Sequence, residues 1–226
     1  LPSLSEMERN TKQMLAKIQN ELHLKHGYEL RIECHALCGF AADEIENFAK
    51  EHPLDLVVMG MRGAGILEEK LIGSVSTSVI ARLKVPVITL DKNVKFTRPA
   101  KIVFATDHKK TDAASLRTLK EFAEAFHSFI YVLNILPVAY ALPSPEEAAN
   151  GVKLEHVFEG TDHAYHYAEH DNVTEGIQQF VKKHNADMVV MLARQHSVFY
   201  NLLHESKTKK MAFHSSIPVL ALHENN

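Results

Sequence analysis

The sequence predicts an α/β protein made of two repeats of one five-stranded parallel-sheet domain, and three observations carry that prediction. First, a shift of 132 residues (187 − 55) lays DLVVMGMR (55–62) over DMVVMLAR (187–194), KVPVITL (84–90) over SIPVLAL (216–222) and EIENFAKEHPLD (44–55) over GIQQFVKKHNAD (176–187), with no gap. Second, short β-branched and apolar runs alternate with stretches of helical period, which requires parallel strands and right-handed crossovers. Third, runs such as KIVFATD (101–107) have the apolar content of buried strands.

The elements follow in order. Residues 1–27 correspond to the middle of a repeat: at the 132 shift the partner of Lys101 falls at position −31, so the first strand, first helix and second strand of the first copy have no residues here. We therefore expect a fragment of a longer protein, its first domain incomplete. Cys34 and Cys38 read as part of a strand, about 13 Å apart at strand rise and beyond disulfide reach, hence reduced thiols packed as small apolar groups. A strand over 55–59 ends at Gly60, the pattern VSTSVIARL after Gly73-Ser74 is helical, and VPVITL (85–90) is the last strand of the copy. The junction DKNVKFTRPAK (91–101) is polar and closed by Pro99, giving domains at 1–94 and 99–226.

The second copy begins with strand KIVFATD and continues with a helix over 111–127, capped by Thr111 or Asp112, with Leu116, Leu119, Phe122, Ala123 and Phe126 on its inner face. Strand FIYVLNIL (129–136) follows, then an irregular segment punctuated by Pro137, Pro143 and Pro145, and strand AYHYAEH (164–170). Helix TEGIQQFVKKH, strand DMVVMLA, a further helix and strand PVLAL close the copy.

Composition narrows the function. The 226 residues are 46% hydrophobic and 23% charged with a net charge of −3, those of a globular protein without a basic footprint for nucleic acid. No run approaches the roughly 18 apolar residues of a membrane span and LPSLSEMERN lacks signal-peptide character, so we expect a cytoplasmic protein. Eleven of the fifteen histidines lie beyond residue 100, but His166 and His170 stand about 13 Å apart along one strand face with His163 on the other. Surface or hydrogen-bonded histidines are expected there, and no metal site.

Glycine carries the functional signal. Gly60, Gly63, Gly65 and Gly73 fall within fourteen positions of a chain with nine glycines. Gly60 and Gly63 allow a tight turn and close approach by a ligand at a strand's carboxyl end, where doubly wound sheets bind. Ser74 then opens a helix whose N–H groups and dipole suit phosphate, with hydroxyls from Ser74 and Ser76 and positive charge from Arg62 and Lys70. Other phosphate motifs fail: GAGILE has Glu68 where a dinucleotide fingerprint needs its third glycine, and no GK[ST] follows.

The spacing Gly60-x2-Gly63-x9-Gly73-Ser74, after DLVVMG and before VPVITL, resembles the universal stress protein family in its tandem form. The resemblance implies a Rossmann-like fold of the adenine-nucleotide alpha hydrolase type and a stress-response regulator binding ATP, with or without Mg. Its cofactor site would comprise Gly60, Met61, Arg62, Gly63, Gly73, Ser74, Val75 and Ser76. The family's adenine- or ribose-contacting aspartate falls before Leu1 in the first copy and at Asp107 in the second. There Leu192, Gln195 and Glu205 replace Gly60, Gly63 and Gly73, leaving only Ser206, so the second copy is not expected to hold ATP.

Family members pair through their last strands. Running 85–90 beside 217–222 would form an internal pseudo-dimer and satisfy two edges, with a homodimer also open. No nucleophile, base and orienter assemble, so no catalytic residues are expected beyond slow incidental ATP hydrolysis. The alternative is a nucleotide-free interaction or small-molecule carrier module, and the protein partner is unspecified.

Overall fold

A computed structural model describes residues 3–61, 74–92, 94, 97–107, 112–136, 145–193 and 217–223. Two compact units divide the chain, Leu1–Glu44 and Ile45–Asn226.

The first unit is built on helix α1, Leu4–His26. Ser3 starts it with a capping box: its hydroxyl accepts from Glu6 N–H while the Glu6 carboxylate accepts from Ser3 N–H. Gly27, at φ 89°, closes it, its N–H donating to His23 O at 2.9 Å. Residues 28–38 lie along α1 through Gln19 Nε2 to Ile32 O at 2.8 Å and the Cys34 thiol to Leu15 O at 3.8 Å. No strand forms there, and both cysteines are exposed rather than packed, which corrects the expectation from sequence. Helix α2, Ala41–Glu51, follows.

The second unit holds one sheet of seven strands: β1 (Val57–Gly60), β2 (Val87–Leu90), β3 (Lys101–Ala105), β4 (Phe129–Leu136), β5 (His163–Glu169), β6 (Met188–Leu192) and β7 (Val219–Leu222). Their order is β1-β2-β7-β6-β3-β4-β5. Every pairing is parallel except β2 with β7, which run antiparallel with Val87 opposite Ala221, Ile88 opposite Leu220 and Thr89 opposite Val219. The last strands of the two copies therefore pair as the sequence suggested, fusing two expected sheets into one. The second copy has its five strands; among the described residues the first contributes only β1 and β2.

Local chemistry explains the helices. Asp112 caps α4 (Ala113–Phe126), accepting from Ala114 and Ser115 N–H at 2.8 and 2.9 Å, and His127 ends it in the left-handed conformation. Asn172 and Asn185 do the same for α6 (Val173–His184). Helix α3 spans Ser74–Arg82. Helix α5, Pro145–Phe158, corrects the irregular segment expected there. Pro145 suits a first helical position, where no intrahelical N–H is required. Leu154 and Phe158 then supply one buried face at i, i+4 spacing. The helix expected between 194 and 213 lies outside the described residues.

One apolar core joins both copies: Ile88 from β2 packs in the cluster of Ile102, Phe104, Leu116, Leu119, Phe158, Met188, Val190 and Leu220. Phe104 and Phe158 meet edge to face at 6.3 Å. Phe104 is fully buried, so Phe104→Ala should cost about 3–5 kcal/mol, read as a lower urea midpoint with unchanged slope.

Candidate functional site at the end of β1

The candidate site starts where β1 leaves the sheet. The ladder runs one residue past Gly60, with Met61 N–H donating to Leu90 O at 2.8 Å. Ser76, in the first turn of α3, reaches back: its hydroxyl lies 2.9 Å from Gly60 O and 3.3 Å from Met61 O. The side chain is 2% exposed. Its hydroxyl thus donates toward strand-exit carbonyls and ties the helix start to the end of β1. Met61 is buried and Gly60 exposed, placing side-chain-free backbone on the surface beside the helix start.

No acidic residue occupies the first turn of α3. The helix N-terminus keeps its positive end uncompensated by a nearby carboxylate in that turn. Val79 and Ile80 bury the far side of the helix. Arg82 Nη1 meets Glu46 Oε2 of α2 at 3.4 Å, a half-exposed pair that adds little. Gly60, Met61, Val75 and Ser76 are brought together here. Arg62, Gly63, Gly73 and the Ser74 side chain lie outside the described residues, as do Lys70, Gln195, Glu205 and Ser206.

At the equivalent place in the second copy a side chain stands where the first has none. Leu192, at the Gly60 position, is buried at the end of β6, and Ala193 N–H continues that ladder to Leu222 O at 2.7 Å. Asp107 stands half-buried beyond the end of β3.

Sequence reasoning missed His223, which follows β7. Its Nε2 lies 2.6 Å from Ile80 O in α3, requiring Nε2 to carry the proton, while its own carbonyl accepts the Ser115 hydroxyl of α4 at 2.8 Å. It thereby ties helices of both copies to the sheet. The Nδ1 atom is buried with no hydrogen-bond partner among the described residues. A second proton there would meet no acceptor, and burial pushes His223 below the usual histidine value despite backbone contacts at Ile80 and Val85. One histidine among fifteen gives no sequence signal of this role.

His163, His166 and His184 form aromatic contacts. His166 lies 5.4, 5.1 and 5.3 Å from the rings of Tyr131, Phe180 and His184. His163 Nδ1 donates to Thr161 O at 2.8 Å, with Nε2 3.5 Å from Glu155. Partial burial and His166 lower His184. Among the described residues, no group of three or more His, Cys, Asp or Glu side chains is placed to hold a metal. None of their helices is long and apolar enough to cross a membrane.

Comparison with known proteins settles the lineage. The model of the Universal stress protein family matches residues 2–90 and 100–223. The chain belongs to the universal stress protein family. It carries two tandem matches to that family, on a mixed α/β fold with a mostly parallel sheet. A universal stress protein of Methanocaldococcus jannaschii is 39% identical over 66 residues, which span 29% of this chain and 39% of that relative's length. The crystal structure of a universal stress protein from Archaeoglobus fulgidus superposes with a TM-score of 0.73 at 18% identity, covering 99% of this chain and 79% of the other. A functionally unknown protein from Pseudomonas aeruginosa gives 0.59 at 15% identity, covering 94% and 78%. At these identities the structural likeness establishes the fold.

Two outcomes test the geometry of this family member. Ser76→Ala strands the Gly60 carbonyl contact and should cost about 1–3 kcal/mol in denaturant melts. For His223 the folded value is depressed, so the unfolded chain takes up the proton first as pH falls below about 6.5. Its stabilising share is present above that value and is lost as pH falls through the folded value. The melting temperature should therefore drop from pH 7 to pH 5, and the drop should be smaller in His223→Gln.

Proposed function

We propose that the chain is a nucleotide-binding regulatory protein of the stress response, holding an adenine nucleotide, ATP, on the first copy. The two domains are read as 1–94 and 99–226. The observation that carries this reading is the Ser76–Gly60 hydrogen bond at 2.9 Å, which fixes a helix start without first-turn acids beside a side-chain-free strand exit. Main-chain N–H groups there would take the phosphates, with Gly60, Met61, Arg62, Gly63, Gly73, Ser74 and Val75 as the cradle and Ser76 as its brace. Arg62 would add charge, and Mg²⁺ would accompany the triphosphate as its counter-ion. Binding, rather than turnover, is the proposed purpose, with ATP hydrolysis slow and incidental.

The second copy would complete the sheet without a nucleotide of its own, since Leu192 fills the position of Gly60 with a buried side chain. The antiparallel β2–β7 join favours a second reading in which the fused pair is itself the functional surface, without a nucleotide. Nucleotide released from freshly purified protein and identified by mass spectrometry supports the first reading; protein that carries none and takes up none supports the second.

Titration calorimetry with ATP provides the sharper test. Gly73→Val adds a branched side chain at the proposed approach and should weaken binding by about tenfold or more, a loss of about 1.4 kcal/mol per decade. Equal affinity in the variant and the parent protein overturns the assignment.

A further inference from the structure

Strand β5 closes one end of the sheet, in the copy that has all five of its strands, and among the described residues it pairs with β4 alone. Its sequence, HAYHYAE at 163–169, is nearly its own mirror image about His166. Laid antiparallel on itself, the strand sets Ala164 opposite Ala168, Tyr165 opposite Tyr167 and, at the ends, His163 opposite Glu169. The stretch at the same place in the first copy, RIECHAL at 31–37, has no such symmetry and forms no strand.

The ladder with β4 decides which backbone groups lie on the edge. Ile130 N–H donates to Asp162 O and His170 N–H to Leu136 O, so in this parallel pair the even-numbered residues of β5 turn their backbone groups to β4. His163, Tyr165, Tyr167 and Glu169 turn theirs the other way. Antiparallel strands exchange hydrogen bonds only between residues that both face the partner. The mirror about His166 meets that condition, because it pairs Tyr165 with Tyr167 and His163 with Glu169. A slip of one residue sets odd against even and loses the bonds, and a slip of two carries His163 or Glu169 past the end of its partner strand.

The side chains fit the same register. Those of odd number lie on the α5 face, where the His163 ring is 5.7 Å from Phe158 and 5.5 Å from Tyr165. Tyr167 is 56% exposed and would pack on Tyr165 of the other chain, an aromatic cross-strand pair. Glu169, the strand's one carboxylate, faces a histidine and not its own copy. That histidine would then stand between Glu169 of the other chain and Glu155 of α5, which lies 3.5 Å from its Nε2. The strand also lacks the Lys, Pro and Gly with which edges are commonly blunted.

We propose that β5 is a self-association edge, on which two copies of this chain pair β5 antiparallel to β5 about a two-fold axis at His166. The two seven-stranded sheets become one continuous sheet. His166 meets its counterpart on the axis as a non-hydrogen-bonded pair, with Cα atoms about 4.5 Å apart.

Analytical ultracentrifugation of the whole chain without nucleotide tests this, so its failure is separate from failure of the nucleotide reading. A monomer–dimer equilibrium is expected, and Tyr167→Lys should weaken it by about tenfold or more while keeping the melting temperature of the dilute parent. Residue-resolved hydrogen exchange should slow with concentration at the N–H groups of Tyr165 and Glu169 and stay constant at Ala164 and His166, whose N–H groups face β4. With Cys34 and Cys38 replaced by Ser, H166C should cross-link into a dimer on mild oxidation and E169C should not, since only the axial pair comes within disulfide reach. A parent protein that stays monomeric at every concentration overturns the proposal. So does association that Tyr167→Lys leaves unchanged, or cross-linking that is equal at 166 and 169, either of which places the contact on another face.

Discussion

The antiparallel seam between β2 and β7 is the constraint on which the second unit depends. Each is the last strand of its copy and would otherwise expose an apolar row of unpaired backbone groups. Pairing them satisfies both edges at once and places Ile88 and Leu220 in one core with Phe104 and Met188. Thr89 is fully buried at the seam, its hydroxyl 3.4 Å from Val219 O, so the one polar side chain of β2 finds a partner across the join. Two strands of the first copy are thereby held against a complete five-stranded second copy.

Where the chain's own alternation was strong, sequence anticipated structure. The repeat shift placed β1 over β6 and β2 over β7, and the inner face read for α4 is the one that buries Leu116, Leu119 and Ala123. The misses share a cause. Pro145 was read as a breaker, although a proline is well suited to the first turn of a helix, and α5 begins on it. Residues 28–38 have strand composition, but a strand exists only with a ladder partner, which single-sequence patterning does not supply.

At the candidate site the sequence offers residue types, and contacts come only from the folded chain. Glycine spacing points to the end of β1, and the Ser76 hydroxyl, which residue type offers to a ligand, lies 2.9 Å from the backbone carbonyl of Gly60. A short polar side chain near a helix start can serve either partner, and only geometry decides. His223 was invisible for a related reason: its importance comes from contacts with α3 and α4, both remote in sequence.

This commitment of Ser76 bears on what kind of recognition the proposed cradle can have. A hydroxyl already donating to carbonyl oxygen offers a ligand no proton, so donors at the start of α3 are chiefly main-chain N–H groups with the helix dipole behind them. Such donors respond to charge and to close approach, not to the identity of a base or sugar. Discrimination among nucleotides would then have to arise elsewhere, from groups lining the other side of the crevice. For the proposed site, phosphate affinity and nucleotide selectivity therefore belong to different groups, the first to main-chain donors at the start of α3.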